Sequence, residues 1–308
     1  MTQAAAHSSA SAAADVIVVG AGPAGSSAAY HMATLGLDVI LLEKQELGRD
    51  KVCGDGLTPS AVRGLVSMGM DTTGWQRNRG LRVIGGGHLL HFPWPEQASF
   101  PSYGMARPRA LLDRDLAEHA AAAGARLLTG VTVTAPVTSP TGRVTGVEAR
   151  PTNRVAYPGI EGPTTFTAPL VIDAGGVSAR LATAVGRTKN ERRPMGVAVR
   201  AYFRSPRAQD VWMESRLELW DGAPGKSDLL PGYGWIWSVG EGLVNVGLGS
   251  VSSRASATAI DYRAVFNRWM ANVPASWGFT KENPVGGLVS AALPMAIQRK
   301  PHFVDGLT

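Results

Sequence analysis

Two hydrophobic patterns alternate at the start of the chain. Val16–Val19 is a run of four β-branched residues, which is typical of a strand buried on both faces. Apolar residues then recur at helical spacing as far as Gly36, a residue type that commonly ends helices, and Val39–Leu42 is a second apolar run. The pattern therefore predicts a strand, a helix and a second, parallel strand in succession.

The pattern of the remaining chain changes near residue 190. Before that point, a helical pattern covers residues 108–123, and strand patterns cover residues 127–137, 144–149 and 170–173. From Met195 onward strand patterns dominate, at residues 197–203, 217–220, 233–239 and 243–248, and a helical pattern follows at residues 262–271. Five of the eight tryptophans lie between residues 212 and 269. We therefore predict an antiparallel sheet with one aromatic face, crossed by a helix.

These patterns predict two domains in a chain of 308 residues. The first is an α/β domain formed by residues 15–75 and 105–190, and the second is a β-sheet domain formed by residues 76–104 and 191–300. Residues 1–14 are rich in Ala and Ser, lack the segments of a signal peptide and are predicted to be a disordered tail. Residues 301–308 look like the start of one more strand of the first domain, so we expect a chain truncated at this end.

Charge and cysteine content narrow the class of protein. The net charge is +6 and the pI about 9.7, but the basic residues are dispersed, which argues against nucleic-acid binding and leaves weak attraction to an anionic membrane surface or ligand. Cys53 is the only cysteine, so no intrachain disulfide can form. No apolar run is long enough to cross a bilayer. We predict a cytoplasmic protein, with peripheral contact at the inner face of the membrane as an option, and no particular oligomeric state is indicated.

A glycine motif follows the first predicted strand. Gly20, Gly22 and Gly25 have the G-x-G-x-x-G spacing of dinucleotide-binding turns, which need a tight turn, close approach of a pyrophosphate and close packing of helix on strand. The N-terminus of the predicted helix favours the negative charge of the pyrophosphate. Glu43 ends the second strand at a spacing typical of the carboxylate that accepts ribose hydroxyls. A bound dinucleotide is therefore favoured over an ordinary βαβ unit with a solvated Glu.

The polar loop after the second strand contains another candidate site. Cys53, Gly54 and Gly56 occur together there, and two hypotheses fit them about equally: the loop lies along a flavin ring with Cys53 beside it, or Cys53 is a half-buried residue of a surface turn. Arg109, at the start of the later helix, either pairs with Asp113 or reaches the phosphates or ribose of a cofactor. The sequence indicates no metal site, no paired catalytic carboxylates and no nucleophile elbow, so metalloenzymes and hydrolases are disfavoured.

These motifs, in this order, resemble the geranylgeranyl reductase family of FAD-dependent flavoproteins. The resemblance extends from Asp15 to Thr308 and is most specific at residues 51–57, 231–236 and 293–295. It implies an α/β fold: a Rossmann-like FAD-binding domain of the glutathione reductase type (group A flavoproteins) with an inserted antiparallel β-sheet domain for substrate. The implied site residues are, for FAD, Gly20, Gly22, Gly25, Glu43, Cys53, Gly54, Gly56, Arg109 and Val133; for the isoprenoid, Tyr233, Trp235 and Trp237; and for catalysis, Cys53.

The resemblance also implies an activity. Such enzymes reduce carbon–carbon double bonds of a polyprenyl chain, for example a geranylgeranyl group or the side chain of menaquinone, by hydride transfer from reduced flavin, with NAD(P)H or another reductant as electron donor. This chain departs from the family at Trp237 and Ser238, where Phe-Pro is usual, and it ends before the family's Gly-Asp segment that binds the flavin. We therefore expect weak FAD binding, and we keep two alternatives: an FAD-dependent aromatic hydroxylase or halogenase, and an inactive fragment.

Overall fold

The computed structural model describes residues 11–152, 162–186, 195–252, 260–294 and 303–308. The chain forms two compact units. Unit 1 contains Met1–Arg49, Ala110–Glu191 and Gln298–Thr308, and unit 2 contains Asp50–Arg109 and Arg192–Ile297. Residues 50–75, which the sequence analysis assigns to the α/β domain, thus belong to unit 2. The physical reason is that side chains of its large β-sheet hydrogen bond to the loop at residues 51–55.

Elements are numbered in chain order across both units. The helices of unit 1 are α1 (Pro23–Thr34), α3 (Arg109–Ala122, in this unit from Ala110 onward) and α4 (Leu181–Ala184), with a short 3-10 turn at Gly176–Ser178. Its strands are β1 (Ser11–Ala13), β2 (Val16–Val19), β3 (Val39–Leu42), β9 (Arg126–Leu128), β10 (Val131–Thr138), β11 (Val144–Pro151), β12 (Thr164–Thr167) and β13 (Leu170–Asp173).

A four-stranded parallel sheet lies at the centre of unit 1, in the order β13, β2, β3, β9. Strands β2 and β3 pair in parallel, from Val16 opposite Val39 to Val19 opposite Leu42, and α1 connects them. Alternate residues of both strands enter two different apolar clusters, one on each side of the sheet, which explains why both runs are continuously apolar. The predicted strand, helix and parallel strand are therefore confirmed.

The second sheet of unit 1 has the order β1, β12, β11, β10. Strand β1 lies within the predicted disordered tail, so that prediction is wrong for Ser11–Ala13, which pair in parallel with β12; residues 1–10 lie outside the described residues. The strand predicted at residues 127–137 is two strands in different sheets, because Gly130 adopts a φ of +67° between them. At the other end of the chain, Leu307 is buried and forms a parallel bridge with Val171 of β13.

Unit 2 contains the helices α2 (Pro59–Ser67) and α5 (Tyr262–Met270) and a 3-10 turn at Ala275–Trp277. Its strands are β4 (Gly56–Leu57), β5 (Gln76–Asn78), β6 (Gly80–Gly85), β7 (His88–Pro93), β8 (Gly104–Ala106), β14 (Met195–Arg204), β15 (Trp212–Arg216), β16 (Leu219–Trp220), β17 (Leu229–Leu230), β18 (Gly232–Gly240), β19 (Leu243–Ser252) and β20 (Pro284–Pro294). Across the described residues of both units, no helix is long and apolar enough to cross a membrane.

A seven-stranded sheet dominates unit 2, in the order β20, β14, β19, β18, β15, β6, β7. Its pairs are antiparallel except β6 with β15, so the predicted antiparallel sheet contains one parallel pair. Strand β20 is missed by the sequence analysis because Gly286 and Gly287 interrupt its apolar pattern. Gly286 has a φ of +77°, and the pairing of β20 with β14 shifts register between Arg200 and Tyr202.

The two faces of this sheet are covered differently. The helix face packs against α5 through aliphatic residues of three strands: Val199, Ala201, Ile236, Val244, Val246 and Leu248. The loop face carries Ala198, Met213, Trp235 and Trp237, and the loop at residues 50–57 lies against it. Trp235 and Trp237 make the loop face of the sheet aromatic, whereas Trp269 belongs to α5 and packs on the helix face.

Candidate functional site

The glycine motif forms a closed turn between β2 and α1 in unit 1. Gly20 adopts a φ of +103°, and its N–H donates to the Leu42 carbonyl at 2.7 Å. A Cβ atom at Gly20 would lie 2.6 Å from the Ala174 carbonyl oxygen, and one at Gly25 would lie 1.9 Å from the Gly20 oxygen. A side chain at either position therefore collides with backbone, and only glycine fits.

The first turn of α1 offers donors for an anion. Its N-cap is Gly22, so no side chain caps the helix, and Pro23 occupies a position at which a missing N–H costs nothing. The Ser26 side chain is buried, and its Oγ has no hydrogen-bond partner among the described residues. Uncapped N–H groups and a buried, unpaired hydroxyl fit the pyrophosphate of a dinucleotide.

Glu43 lies beside this turn. Its Oε2 accepts the Ala21 N–H at 2.9 Å and its Oε1 accepts the Gln45 N–H at 3.0 Å, so the carboxylate is fixed at the end of β3. Val133 lies on β10, opposite Ala149 of β11, and packs against an apolar cluster. The structure thus brings together Gly20, Gly22, Gly25 and Glu43, and it places Val133 in a different sheet.

In unit 2, side chains of the loop face bind the backbone of the loop at residues 50–57. The carbonyl groups of residues 51, 53 and 54 accept hydrogen bonds, at 3.0, 2.9 and 2.5 Å, from the side chains of Arg200, Asn245 and Trp237, respectively. The Asn245 amide is itself oriented, because its Oδ1 accepts the Trp235 Nε1–H at 2.8 Å. The polar and aromatic residues of the sheet therefore determine the path of the loop.

The two loop glycines lie directly on this face. A Cβ atom at Gly54 would lie 2.7 Å from the Trp237 ring, and one at Gly56 would lie 2.4 Å from the Met213 methyl group. The planar group that requires glycine at position 54 is thus an indole of the protein itself. A flavin ring is the group predicted to lie against these glycines, and the indole of Trp237 is a second reason for glycine at position 54.

Asp55, between the two glycines, is a site residue that the sequence analysis misses. It is 1% exposed and has a φ of +62°. Its Oδ2 accepts the Tyr202 hydroxyl at 2.5 Å and the Asn245 amide at 2.7 Å, and its Oδ1 accepts the Arg109 N–H at 3.1 Å. The Arg109 backbone in unit 2 is thus bonded to Asp55, the residue whose N–H donates to Cys53 Sγ. The available signal in the sequence is an acidic residue enclosed by two glycines.

Burial controls the electrostatics of this cluster. Burial raises the pKa of Asp55, although hydrogen bonds from Tyr202 and Asn245 and the charge of Arg200 act in the opposite direction. Burial and the Asp55 carboxylate raise the pKa of Tyr202 well above its usual range, so the phenol stays protonated and donates. Cys53 is half-buried, and its Sγ accepts the Asp55 N–H at 3.4 Å.

The predicted isoprenoid residues form a row on β18. The ring centroids of Tyr233 and Trp235 are 6.0 Å apart, as are those of Trp235 and Trp237. Trp235 and Trp237 are buried, whereas Tyr233 is 45% exposed. Gly247 of β19 makes room for the row, because a Cβ atom there would lie 2.3 Å from the Trp235 ring. The row is an apolar, aromatic surface that runs from the Cys53 loop toward solvent.

A comparison with family models identifies the class of protein. Residues 13–261 match the model described as an FAD-binding domain, which covers most of the chain, and the chain belongs to this family of flavoproteins. The predicted cofactor, FAD, and the predicted Rossmann-type FAD-binding fold are therefore confirmed. The glycine turn, the uncapped helix and Glu43 agree with a dinucleotide of this kind.

Comparison with curated sequences gives the particular relatives. The chain is 39% identical to menaquinone reductase from Mycolicibacterium smegmatis, over 92% of this chain and 65% of that protein. It is 37% identical to menaquinone reductase from Mycobacterium tuberculosis, over 90% of this chain and 67% of that protein. A digeranylgeranylglycerophospholipid reductase from Methanosphaera stadtmanae is 30% identical over 80% of this chain and 57% of its own length. The chain thus spans about two thirds of the mycobacterial relatives, and the predicted resemblance is confirmed.

Solved structures share the fold. A geranylgeranyl bacteriochlorophyll reductase-like protein from Thermoplasma acidophilum superimposes with a TM-score of 0.77 at 24% identity, over 96% of this chain and 70% of that one. The myxobacterial halogenase CndH superimposes with a TM-score of 0.73 at 22% identity, over 96% of this chain and 67% of that one. Reductases and halogenases thus share this architecture, and the fold alone does not decide between their reactions.

Proposed function

We propose that this protein is an FAD-dependent oxidoreductase that reduces carbon–carbon double bonds of a polyprenyl chain, either the side chain of menaquinone or a geranylgeranyl group. The observation that carries the proposal is the Cys53 loop, which aromatic and amide side chains bind to an apolar sheet face. The sequence similarity to menaquinone reductases and to a digeranylgeranylglycerophospholipid reductase supports the same reaction class.

The residues of both units have separate roles in this proposal. FAD, when bound and reduced, supplies the hydride for the alkene. The N-terminus of α1, with Gly22 and Ser26, binds the pyrophosphate, and Glu43 binds the ribose. Gly20 and Gly25 keep the turn closed. The other proposed FAD contacts are Cys53, Gly54, Gly56, Arg109 and Val133.

Reduction of an alkene also needs a proton and a defined position for the chain. In this proposal the Cys53 thiol holds or relays the proton that reaches the second alkene carbon. Tyr233, Trp235 and Trp237 bind the polyprenyl chain and exclude water, so that an otherwise unreactive double bond is fixed in place. The electron donor, NAD(P)H or another reductant, stays a prediction.

The test combines the purified chain, FAD and dithionite with a polyprenyl quinone in the absence of oxygen. We expect the mass of the quinone side chain to increase by one hydrogen molecule for each reduced bond. Cys53→Ala should lower turnover more than FAD affinity, and Cys53→Ser is its polar control. In a separate aerobic reaction with NAD(P)H in place of dithionite, oxygen consumption in step with substrate would instead indicate a hydroxylase or halogenase. A cooperatively folded chain that binds no FAD would indicate an inactive fragment.

We also propose that the protein contacts an anionic membrane surface peripherally. Leu89, Leu90 and Phe92 of the edge strand β7 are each more than half exposed, with Leu90 and Phe92 on one face of the strand and Leu89 on the other. Exposed apolar residues of this kind commonly mark interaction surfaces. The double variant Leu89→Ser/Leu90→Ser should lose flotation with anionic vesicles. Val66→Ser, an equally exposed position on α2, should keep it. Absence of flotation of the unmodified chain rejects this proposal. The cytoplasmic location stays a prediction.

A further inference from the structure

We propose that Asp55 is the positioning residue that fixes the Cys53 thiol beside the loop face. The Asp55 N–H donates to Cys53 Sγ at 3.4 Å, and the Asp55 carbonyl accepts the Arg107 N–H at 3.0 Å. Because the donor to the sulfur and the carboxyl group belong to one residue, whatever fixes the carboxyl also fixes this donor. A role for Cys53 in the reaction rests on the proposed function, whereas the position of the thiol does not.

The carboxyl group of Asp55 is fixed from three directions. Tyr202 on β14, Asn245 on β19 and the backbone of Arg109 all donate to it, at 2.5, 2.7 and 3.1 Å. Asp55 is 1% exposed, so bulk water cannot replace these partners. Removal of an acceptor from buried donors is costly, because each donor then lacks a hydrogen bond.

The backbone of Asp55 supports the same inference. Its φ of +62° lies in the left-handed region, which glycine adopts freely and Asn or Asp adopt at moderate cost. A glycine at position 55 would adopt this backbone conformation freely, but it would lack the carboxyl group. The carboxyl group is therefore the feature that this position adds, and its contacts offset the cost of the conformation.

The decisive variant is Asp55→Asn in the full chain. Asn is isosteric and tolerates the left-handed conformation, but it has one acceptor oxygen where Asp55 has two. Its amide group therefore places donors either against Tyr202 and Asn245 or against the Arg109 N–H. The Asn245 amide cannot rotate by 180° to present its oxygen to residue 55, because its Oδ1 already accepts the Trp235 Nε1–H at 2.8 Å. The variant therefore separates the hydrogen bonds of Asp55 from its size and its backbone preference.

Cys53 is the only cysteine, so its reaction with a chromogenic disulfide reagent reports on the loop alone. The rate is measured as a function of pH. The plateau that this rate reaches at high pH gives the accessibility of the thiolate. We expect Asp55→Asn to raise the plateau rate roughly tenfold, which corresponds to about 1.4 kcal/mol for loop opening. Thermal unfolding should stay cooperative.

Two further variants keep the experiment decisive. Asp71→Asn is the matched control, because Asp71 is exposed and its hydrogen bonds come from the backbone and side chain of the nearby Thr73. The labelling plateau of this variant should equal that of the unmodified chain. Tyr202→Phe removes one of the three donors and should raise the plateau roughly threefold. If Asp55→Asn folds and its plateau is unchanged, Asp55 does not position the thiol. If it fails to fold, an unchanged Tyr202→Phe plateau leads to the same conclusion.

Kinetics distinguish positioning from general stability. We expect Asp55→Asn to lower kcat for the polyprenyl quinone roughly tenfold or more, since small displacements of a reacting group are costly, with KM and FAD affinity within about twofold. A proportional loss of FAD binding and kcat would show a structural role only. If the unmodified chain reduces no alkene, the proposed function fails, and the thiol measurements, which need neither FAD nor substrate, still decide the role of Asp55.

Discussion

Strand β19 shows how differently the two faces of the seven-stranded sheet are built. On the helix face, Val244, Val246 and Leu248 are completely buried under α5. On the loop face, the intervening positions are polar or lack a side chain: Asn245, Gly247 and Gly249. Aliphatic packing closes one face, and aromatic rings with directional hydrogen bonds close the other.

This difference in packing determines whether each face contributes to stability alone or also to the conformation of the loop. Burial of aliphatic surface is non-directional and contributes mainly to stability. Hydrogen bonds from Trp237, Asn245 and Arg200 are directional, and they fix the backbone of residues 51–55 in one conformation. We therefore expect changes on the helix face to affect the free energy of unfolding, and changes on the loop face to affect the position of Cys53 as well.

The largest effect should come from Trp269→Ala on the helix face. Trp269 is 7% exposed and packs over Gly234 and the core under α5, so its truncation leaves a large cavity. We expect a loss of about 3–5 kcal/mol in the free energy of unfolding, measured by urea denaturation. Under conditions in which the variant is folded, the plateau rate of Cys53 labelling should not change. A faster plateau would show that the two faces are coupled.

A pair of identical substitutions compares the faces directly. A Cβ atom at Gly234 would lie 2.2 Å from the Trp269 ring on the helix face, and one at Gly247 would lie 2.3 Å from the Trp235 ring on the loop face. Gly234→Ala should cost about 1–3 kcal/mol of unfolding free energy, because an indole must move. Gly247→Ala should cost more, because its Cβ atom would also lie 2.6 Å from the Val199 carbonyl oxygen. Only Gly247→Ala should also accelerate Cys53 labelling, since Trp235 orients Asn245. Equal labelling rates in the two variants would refute the distinction.

The sequence predicts features that depend on neighbours in the chain. The glycine turn, α1 and the paired strands are encoded within about 30 residues, because turn geometry and hydrophobic period are local properties. Gly20, Gly22, Gly25 and Glu43 accordingly come together as predicted. The Cys-Gly-x-Gly segment is also recognisable in the sequence, so a site at Cys53 and its glycines can be predicted before the fold is known, and this site stays a prediction.

The sequence does not reveal features that depend on distant partners. Asp55 contacts Tyr202 and Asn245, which follow it by 147 and 190 positions, and no local pattern links them. Trp235 and Trp237 share a face because residues two apart in a strand point to the same side, but the strand pattern does not indicate which side of the sheet the helix with Trp269 covers. Strand β20 is missed because its glycines, which permit a bulge, resemble a turn.

A smaller effect is expected when Trp237 loses only its donor. Trp237→Phe keeps an aromatic ring and removes the hydrogen bond to the Gly54 carbonyl. The loss should cost about 1 kcal/mol of unfolding free energy and raise the Cys53 labelling plateau several-fold. Trp220→Phe, on the β16–β17 hairpin, is the control with the same change of ring and should leave labelling unchanged. An unaltered plateau in Trp237→Phe would mean that Asn245 and Asp55 suffice to fix the loop.

The smallest effect concerns the pH dependence of stability at Asp55. Burial raises its pKa in the folded protein, so the folded state retains this proton to higher pH than the unfolded state, in which the pKa is about 4. The contribution of Asp55 to stability is therefore fully present below that pH and decreases as pH rises through the folded value. The slope of this contribution, plotted against pH, cannot exceed the slope that a single titrating carboxyl group gives.

Asp55→Asn removes this titration and isolates its contribution. The free energy of unfolding of the unmodified chain minus that of Asp55→Asn should decrease as pH rises above about 4 and become constant once the folded-state carboxyl is ionised. Urea denaturation over a pH series measures it, with Asp71→Asn as the exposed control. A difference that increases with pH would mean that the hydrogen bonds from Tyr202, Asn245 and Arg109 lower the pKa of Asp55 by more than burial raises it. The loop face would then bind Asp55 as a carboxylate, and its polar contacts would contribute to stability as the aliphatic contacts of the helix face do.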